Sequence, residues 1–374
     1  TSATRAFDTV DPAINSVTVP DGPMAVGDTV TADITIDSSD STLSFASGTH
    51  TIGGFNLSNL THTGGTSYTA EFTVQEGGTD VAPGSDIPVD VQLEDPAGNT
   101  SSTYTTPISQ PNDEIDANSP VFNSVSIPNS PALIGDTITV TVEADEAGYS
   151  LGSSATINGG ASLTNFSDDG GGTYTLDYAV SGGDTDRAPG DDVPVAIELV
   201  DDLGNDTTYN TPISQTNDPI DANAPTISAI TGAPSHAKQG DTITITLDSN
   251  EDLSGSGSPS IDFEIGSTTR TATFSTINGG DAEFTYTVSG GDSDDSDGLT
   301  VQSLNIAGGD LTDAVGNDLD TSFTLPDLGT EVDLTAPTVN SGLSLDGSPG
   351  LTAGSVTFSV TFSEDVTNIG PGDF

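Results

Sequence analysis

Gly135-Asp136-Thr137-Ile138-Thr139-Val140-Thr141-Val142 places an apolar side chain at every second position after a Gly-Asp turn. Successive side chains of an extended strand point to opposite faces, so this alternation reads as a strand with one face in a core and one in water. The same period runs through Tyr174, Leu176, Tyr178 and Val180, and again through Val193, Val195, Ile197 and Leu199. Thr, Val and Ile suit a pleated surface, and clusters of Gly, Asn, Asp and Pro supply turns at intervals of about 8 to 12 residues. No apolar pattern of helical period lasts three turns.

The opening stretch recurs. Gly27-Asp28-Thr29-Val30 and Gly240-Asp241-Thr242-Ile243 flank it at spacings of 108 and 105 residues. Asp95-Pro96-Ala97-Gly98-Asn99 returns as Asp201-Asp202-Leu203-Gly204-Asn205 and Asp313-Ala314-Val315-Gly316-Asn317, and Ala82-Pro83-Gly84 returns as Ala188-Pro189-Gly190. Repeats of this kind decide the organisation: repeat 1 over 11–115, repeat 2 over 116–220, repeat 3 over 221–332, an incomplete repeat 4 over 333–374, and residues 1–10 as the end of a preceding repeat. About seven short strands per repeat predict an all-β fold of tandem Ig-like antiparallel sandwiches arranged as an extended rod, without the Cys…Trp…Cys hallmark.

Composition narrows the function. The 374 residues include 57 acidic and 4 basic side chains, a net charge of −53. Such a surface repels nucleic acid and anionic membranes. It suits carboxylate cages for hard cations, and it suits a halophilic or brine-exposed setting, where the screening length falls to about 3 Å at 1 M salt. A few divalent ions per repeat would neutralise well under half of this charge, so most of the acid belongs to the surface. Cysteine is absent, which removes disulfides, thiolate metal sites and thiol nucleophiles. No run of about 18 apolar residues is present, and neither a signal peptide nor a starting Met is visible, as expected of a processed chain or an excised piece.

Between repeats lie short acidic segments ending in proline: Asn217-Asp218-Pro219-Ile220-Asp221-Ala222-Asn223-Ala224-Pro225 and Asn112-Asp113-Glu114-Ile115-Asp116-Ala117-Asn118-Ser119-Pro120. Weaker copies are Val10-Asp11-Pro12 and Glu331-Val332-Asp333-Leu334-Thr335-Ala336-Pro337. These are read as junctions that Pro120, Pro225 and Pro337 stiffen. From Asp333 a fourth repeat starts, with a strand over 355–362. Its remaining strands belong either to a longer chain or to a second molecule.

With Phe362-Ser363-Glu364-Asp365-Val366, the Asp-x-x-Gly-Asn turns and the Asp-x-x-x-Pro junctions, nearly the whole chain resembles the bacterial Ig-like repeats of calcium-dependent surface adhesins. These include stalks of the RTX type and related surface-layer and filament proteins. The motifs are short and degenerate and mark a repeat class. The resemblance implies a mechanical role, with tandem extension and calcium at the junctions.

Strand topology places ligands. Stacked sandwiches bring the E–F loop of one repeat toward the B–C and F–G loops of the next. Between repeats 2 and 3 this predicts a gathering of Asp184, Asp186 and Asp191, then Asp218, Asp221 and Asn223, then Glu251, Asp252, Asp313 and Asn317. Between repeats 1 and 2 the corresponding set is Asp80, Asp86, Asp113, Glu114, Asp116, Asn118, Glu143, Asp145, Asp201 and Asn205. The last junction offers Asp294, Asp295, Asp297, Glu331, Asp333, Glu364 and Asp365. Ca2+ takes six to eight oxygens, and oxygen donors without His or Cys favour it over transition metals. The bland alternative is that Asp and Asn simply build turns on an acidic surface.

Other chemistry is thin. Gly148-Tyr149-Ser150-Leu151-Gly152 matches a nucleophile-elbow pattern but lacks a helical setting and a nearby histidine; the histidines are His50, His62 and His236. Asp292–Gly298 lacks EF-hand spacing. Lys238 is the single lysine, so repeats 1 and 2 have no Lys–Asn isopeptide bond. Sequons at Asn56, Asn59, Asn99, Asn165 and Asn205 are glycan candidates on a secreted chain. The expectation is a non-enzymatic extracellular structural protein whose partners are calcium, neighbouring repeats or further copies of itself. It would form an adhesin stalk or a surface filament or layer. The alternatives are a carbohydrate- or surface-binding adhesion module, and a filament subunit completed by strand exchange.

Overall fold

In a computed structural model, which describes residues 8–109, 114–216, 219–307, 310–348, 354–370 and 372, the alternating stretch is the strand Thr137–Ala144. Its Ile138, Val140 and Val142 are buried, and its threonines are half-buried or exposed. The described residues form strands and turns throughout, and no helix is long and apolar enough to cross a membrane. The chain divides into two units, Thr1–Asp221, which holds repeats 1 and 2, and Ala222–Phe374.

Repeat 2 shows the sandwich most fully. One antiparallel sheet runs Phe122–Ser126, Thr137–Ala144, Thr173–Ala179, Thr164–Gly170, and the other runs Ala161–Ser162, Ser150–Ile157, Val195–Val200, Asp206–Tyr209. Val140, Val142, Leu176, Ile197 and Leu199 have no exposed surface. Repeat 1 keeps the first sheet, with Ile14–Thr18, Thr29–Ile36, Ser67–Thr73 and Ser58–Gly64. Its second layer is made of shorter pairs and isolated bridges.

Repeats 1 and 2 pass from one sheet to the other through Leu57 and Leu163, followed two residues later by Asn59 and Asn165, each at φ 54°. Asparagine tolerates this left-handed conformation better than most residues. Repeat 3 has no such corner. The uninterrupted strand Thr268–Asn278 pairs with both Asp281–Thr287 and Ser260–Ile265. Its six strands therefore form one continuous sheet, Ile227–Ala233, Thr242–Ser249, Asp281–Thr287, Thr268–Asn278, Ser260–Ile265, Thr300–Asn305. Bulges between Phe274 and Thr276 bend it around a core that includes Ile243, Ile245, Phe263 and Phe284. Repeat 4 appears as one hairpin, Val339–Leu345 with Phe358–Phe362, on which Val339, Leu343 and Phe358 are more than half exposed.

A tyrosine ties the layers together. Tyr174 Oη accepts from Tyr149 N at 2.9 Å and donates to Glu146 O at 3.0 Å. Tyr68 repeats this with Leu43 N at 3.0 Å and Asp40 O at 2.6 Å. Both are buried. Tyr174→Phe strips partners from a buried amide and a carbonyl, so urea unfolding is expected to show repeat 2 weakened by about 1–3 kcal/mol. A loss under a few tenths would show that water replaces the hydroxyl.

The junction segments are strands of the repeats they follow. Ile115 bridges Met24 in parallel and Val81 in antiparallel sense, through Met24 N–Glu114 O, Asp116 N–Met24 O, Val81 N–Ile115 O and Ile115 N–Val81 O bonds of 2.8–3.0 Å. Ile220 is held in the same way between Ala132 and Arg187, and Val332 between Ala237 and Asp295. The packing of repeat 1 includes Ile115 and Ala117, so it runs two residues past the expected break at 115/116.

Candidate metal centre

The junction between repeats 1 and 2 lies within the first unit, where Asp80, Glu114, Asp116 and Asp201 come together. Asp116 follows the stitched Ile115, and its Oδ1 accepts from Asn118 N at 3.1 Å, an Asx turn that fixes the side chain. Asp80, from the loop after the strand Ser67–Thr73, accepts on Oδ1 from Ala117 N at 2.8 Å and from Asn118 Nδ2 at 2.7 Å. Asp201 caps the F–G turn of repeat 2: Oδ1 accepts from Leu203, Gly204 and Asn205 amides at 2.8–2.9 Å, and Oδ2 from Asn205 Nδ2 at 2.8 Å. Gly204, at φ 95°, makes this tight turn possible.

The electrostatics follow from that crowding. Burial pushes the Asp116 carboxyl above the usual aspartate range. The charges of Asp201, Asp80 and Glu114 push the same way, against the Asn118 amide, which lowers it. Among the described residues no cationic side chain pairs with any of the four. The hydrogen bonds leave Asp80 Oδ2, Asp116 Oδ2 and the Glu114 carboxylate able to meet a cation. An all-oxygen, multiply anionic donor set fits calcium and fits transition metals poorly.

The last junction repeats the arrangement inside the second unit. Asp294 accepts from Leu334 N and Thr335 Oγ1, both at 2.6 Å, as Asp80 does from Ala117 and Asn118. Asp333 Oδ1 accepts from Thr335 N at 2.9 Å, as Asp116 does from Asn118. Glu364 joins them: burial raises its carboxyl, and Asp333 and then Asp294 raise it further. Its buried Oε1 has no hydrogen-bond partner. In the same unit, carboxylate oxygens of Glu251 and Asp313 lie within 4.8 Å of each other.

Of the other expected ligands, Asp184 accepts from Tyr178 Oη at 3.0 Å and Ser181 N at 2.9 Å, and Asp191 caps its own turn at Ala188 N. Glu143 Oε2 accepts from Thr173 Oγ1 at 2.9 Å on the outer sheet face. Asp145 accepts from Val121 N and Tyr149 Oη, both at 3.0 Å. The buried Asp295 accepts from Gly266, Asp297 and Gly298 amides, and Glu331 sits 3.3 Å from His236 Nε2. Asp86, Asp186, Asp252, Asn223, Asp297 and Asp365 are exposed. Asp221 ends the first unit, paired with Leu133. Asp113 and Asp218 lie outside the described residues.

Asn205 and Asn317 sit in Asp-capped turns, where their side chains donate to Asp201 and Asp313 at 2.8 Å. That Asp80 and Asp294 would grip the junction backbone was not foreseen, although each stands six residues after the last apolar residue of a strand, Val74 or Val288, and just past a Gly-Gly pair.

His50 is buried, with Nδ1 accepting from Gln92 N and Nε2 bonded to Ala46 O, and His62 lies against Tyr68. Ser150 Oγ donates to Val200 O on a strand. Lys238 is exposed. Of the sequons, Asn205 is 4% exposed, Asn59 and Asn165 bind Glu71 and Asp177, and Asn56 is exposed. An open groove of about 600 Å³, bordered by His236, Lys238, Gln239, Asp241, Asp333 and Thr335, carries no Phe, Tyr or Trp on which a sugar ring could stack.

No protein-family model matches the chain, and no curated protein does. Solved structures similar to it include FdeC, an Escherichia coli adhesin, at 16% identity over 87% of this chain and 98% of that one, with a TM-score of 0.26. Titin domains I67–I69 match at 10% identity over 88% and 100%, with a TM-score of 0.33. The Bacteroides ovatus mixed-linkage glucan protein SGBP-B, solved with a heptasaccharide, matches at 16% identity over 92% and 76%, with a TM-score of 0.19. Scores this low carry no argument about function. The Ig-like, all-β character of the chain stands on its own strand order.

Proposed function

We propose that this chain is a non-enzymatic extracellular structural protein, part of an adhesin stalk or of a surface filament or layer, in which calcium at the junctions fixes one repeat against the next. The observation that carries this reading is the Asp80–Glu114–Asp116–Asp201 cluster. Carboxylates from three separate segments converge with oxygens left over and, among the described residues, no cationic side chain paired with them. Its counterpart at Asp294, Asp333 and Glu364 makes the arrangement a property of the repeat. Without a cation, like charges push the segments apart; a bound divalent ion converts that repulsion into attraction. Net acidity keeps the remaining surface soluble and poorly self-adhesive.

Two measurements test the proposal on the chain as it stands. Isothermal titration of chelator-treated protein is expected to show calcium binding at more than one site. Small-angle scattering is expected to show a larger maximum dimension with calcium than with chelator. An unchanged maximum dimension, or no binding heat at millimolar calcium, would sink it.

A further inference from the structure

Asn205 is almost wholly buried, 4% exposed, and its carboxamide joins three parts of the chain. Its Oδ1 accepts from Val26 N of repeat 1 at 2.7 Å, across 179 residues of sequence. Its Nδ2 donates to Asp201 Oδ2 at 2.8 Å and reaches the junction carbonyl Asp116 O at 3.4 Å. The Oδ1 atom is the one through which an asparagine ligates a cation, and here a backbone amide of the neighbouring repeat already occupies it.

We infer that Asn205 is an uncharged latch that holds repeat 2 onto repeat 1 independently of any cation. The chemistry is specific to asparagine. Aspartate would keep an acceptor for Val26 but lose the donor, and would set a second carboxylate against Asp201 and Asp116. Alanine would leave the half-buried Val26 amide without its Asn205 partner, a penalty larger than the value of an ordinary exposed bond. The turn that presents the latch is rigid, because three amides and the Asn205 side chain converge on Asp201. The seat on repeat 1 is equally fixed: Asp28 caps the Ala25 amide at 2.9 Å, and Gly27 N bonds Val74 O at 2.8 Å.

The device recurs. Asn99 Nδ2 reaches Asp8 O at 3.3 Å, and Asn317 Nδ2 reaches Asn223 O at 3.4 Å, each from the same Asp-capped turn. In all three repeats the F–G asparagine thus reaches the acidic segment at the N-terminal border of its repeat. This gives the Asp-x-x-Gly-Asn motif a role apart from metal binding: Asp builds the turn, Gly allows it, and Asn binds the border segment and, at Asn205, the neighbouring repeat as well.

The chain has no cysteine, so Thr31→Cys in repeat 1 and Ser126→Cys in repeat 2, both exposed positions, can carry spin labels for pulsed distance measurement. In chelator, the otherwise unaltered labelled chain is expected to give a narrow distribution. Asn205→Ala and Val26→Pro, which remove the two sides of one bond, are each expected to raise the displaced population about fivefold or more. Asn99→Ala, in a turn that faces Asp8, is expected to leave the distribution unchanged. Thermal unfolding of each variant checks that both repeats remain folded. A broad distribution in chelator without either substitution overturns the inference, as does an unaltered one in Asn205→Ala or in Val26→Pro. A failure of calcium to bind leaves it standing, so the two readings fail separately.

Discussion

Ile115→Ala is expected to lower the stability of repeat 1 by about 2–5 kcal/mol in urea unfolding, the range for truncating a fully buried isoleucine. Ile115 is 1% exposed and belongs to the repeat 1 core. Its Cδ1 stands so close to Gly53 that a Cβ added there would lie 2.7 Å from it. That contact explains why position 53, at φ 61°, holds glycine, and it leaves little room for collapse around a cavity. Four backbone hydrogen bonds, two to Met24 and two to Val81, hold the segment and resist a backbone shift into the space. Val121→Ala provides the contrast. Val121 lies six residues on, just past the proline that ends the acidic segment, but is 53% exposed, and a change within about 0.5 kcal/mol is expected there. If Ile115→Ala matches Val121→Ala, the segment is a linker after all and the stitched strand does not bear on folding.

Alternation made the sheets legible in the sequence. Thr137–Ala144, Thr173–Ala179 and Val195–Val200 lie where the period of two placed them, because burial of one face requires that pattern. The junction strands were not legible as strands. Ile115, Ile220 and Val332 are single apolar residues among acids, and one residue has no period. Their pairing is non-local, parallel to one partner and antiparallel to another. The acids at the junctions were visible as a group but not by role. Asp184 looks like Asp80 in the sequence, yet a tyrosine hydroxyl and a turn amide hold it, while Asp80 grips the junction. Which oxygens a turn consumes depends on backbone amide directions, which residue type does not encode. For the same reason Asn205 read as a ligand rather than as a contact to Val26.

Asp116→Asn is expected to act with opposite signs in the two cation states, and that reversal is its largest effect. With calcium absent, the fold disfavours the charged form of Asp116, since burial and the neighbouring carboxylates raise its pKa. A raised carboxyl pKa means the native junction holds the proton more tightly than the unfolded chain does. Stability from this group therefore grows as pH falls through the raised value and fades as pH rises above it. Asparagine imitates the protonated side chain, so the chelator-treated variant is expected to melt higher at neutral pH than the parent and to lose part of the parent's gain on acidification. With calcium present the charge becomes an asset. Ligand charge sets calcium affinity, and removal of one carboxylate is expected to weaken binding at this junction by about tenfold or more. The calcium-saturated parent is then the more stable of the two, because a ligand that binds only the native state adds stability in proportion to the logarithm of its saturation. Calorimetric melts of both proteins, in chelator and in millimolar calcium, read the four states directly. Equal shifts of the same sign in both conditions would mean that Asp116 is a buried surface acid with no part in cation binding, and the junction would then rest on its hydrogen bonds alone.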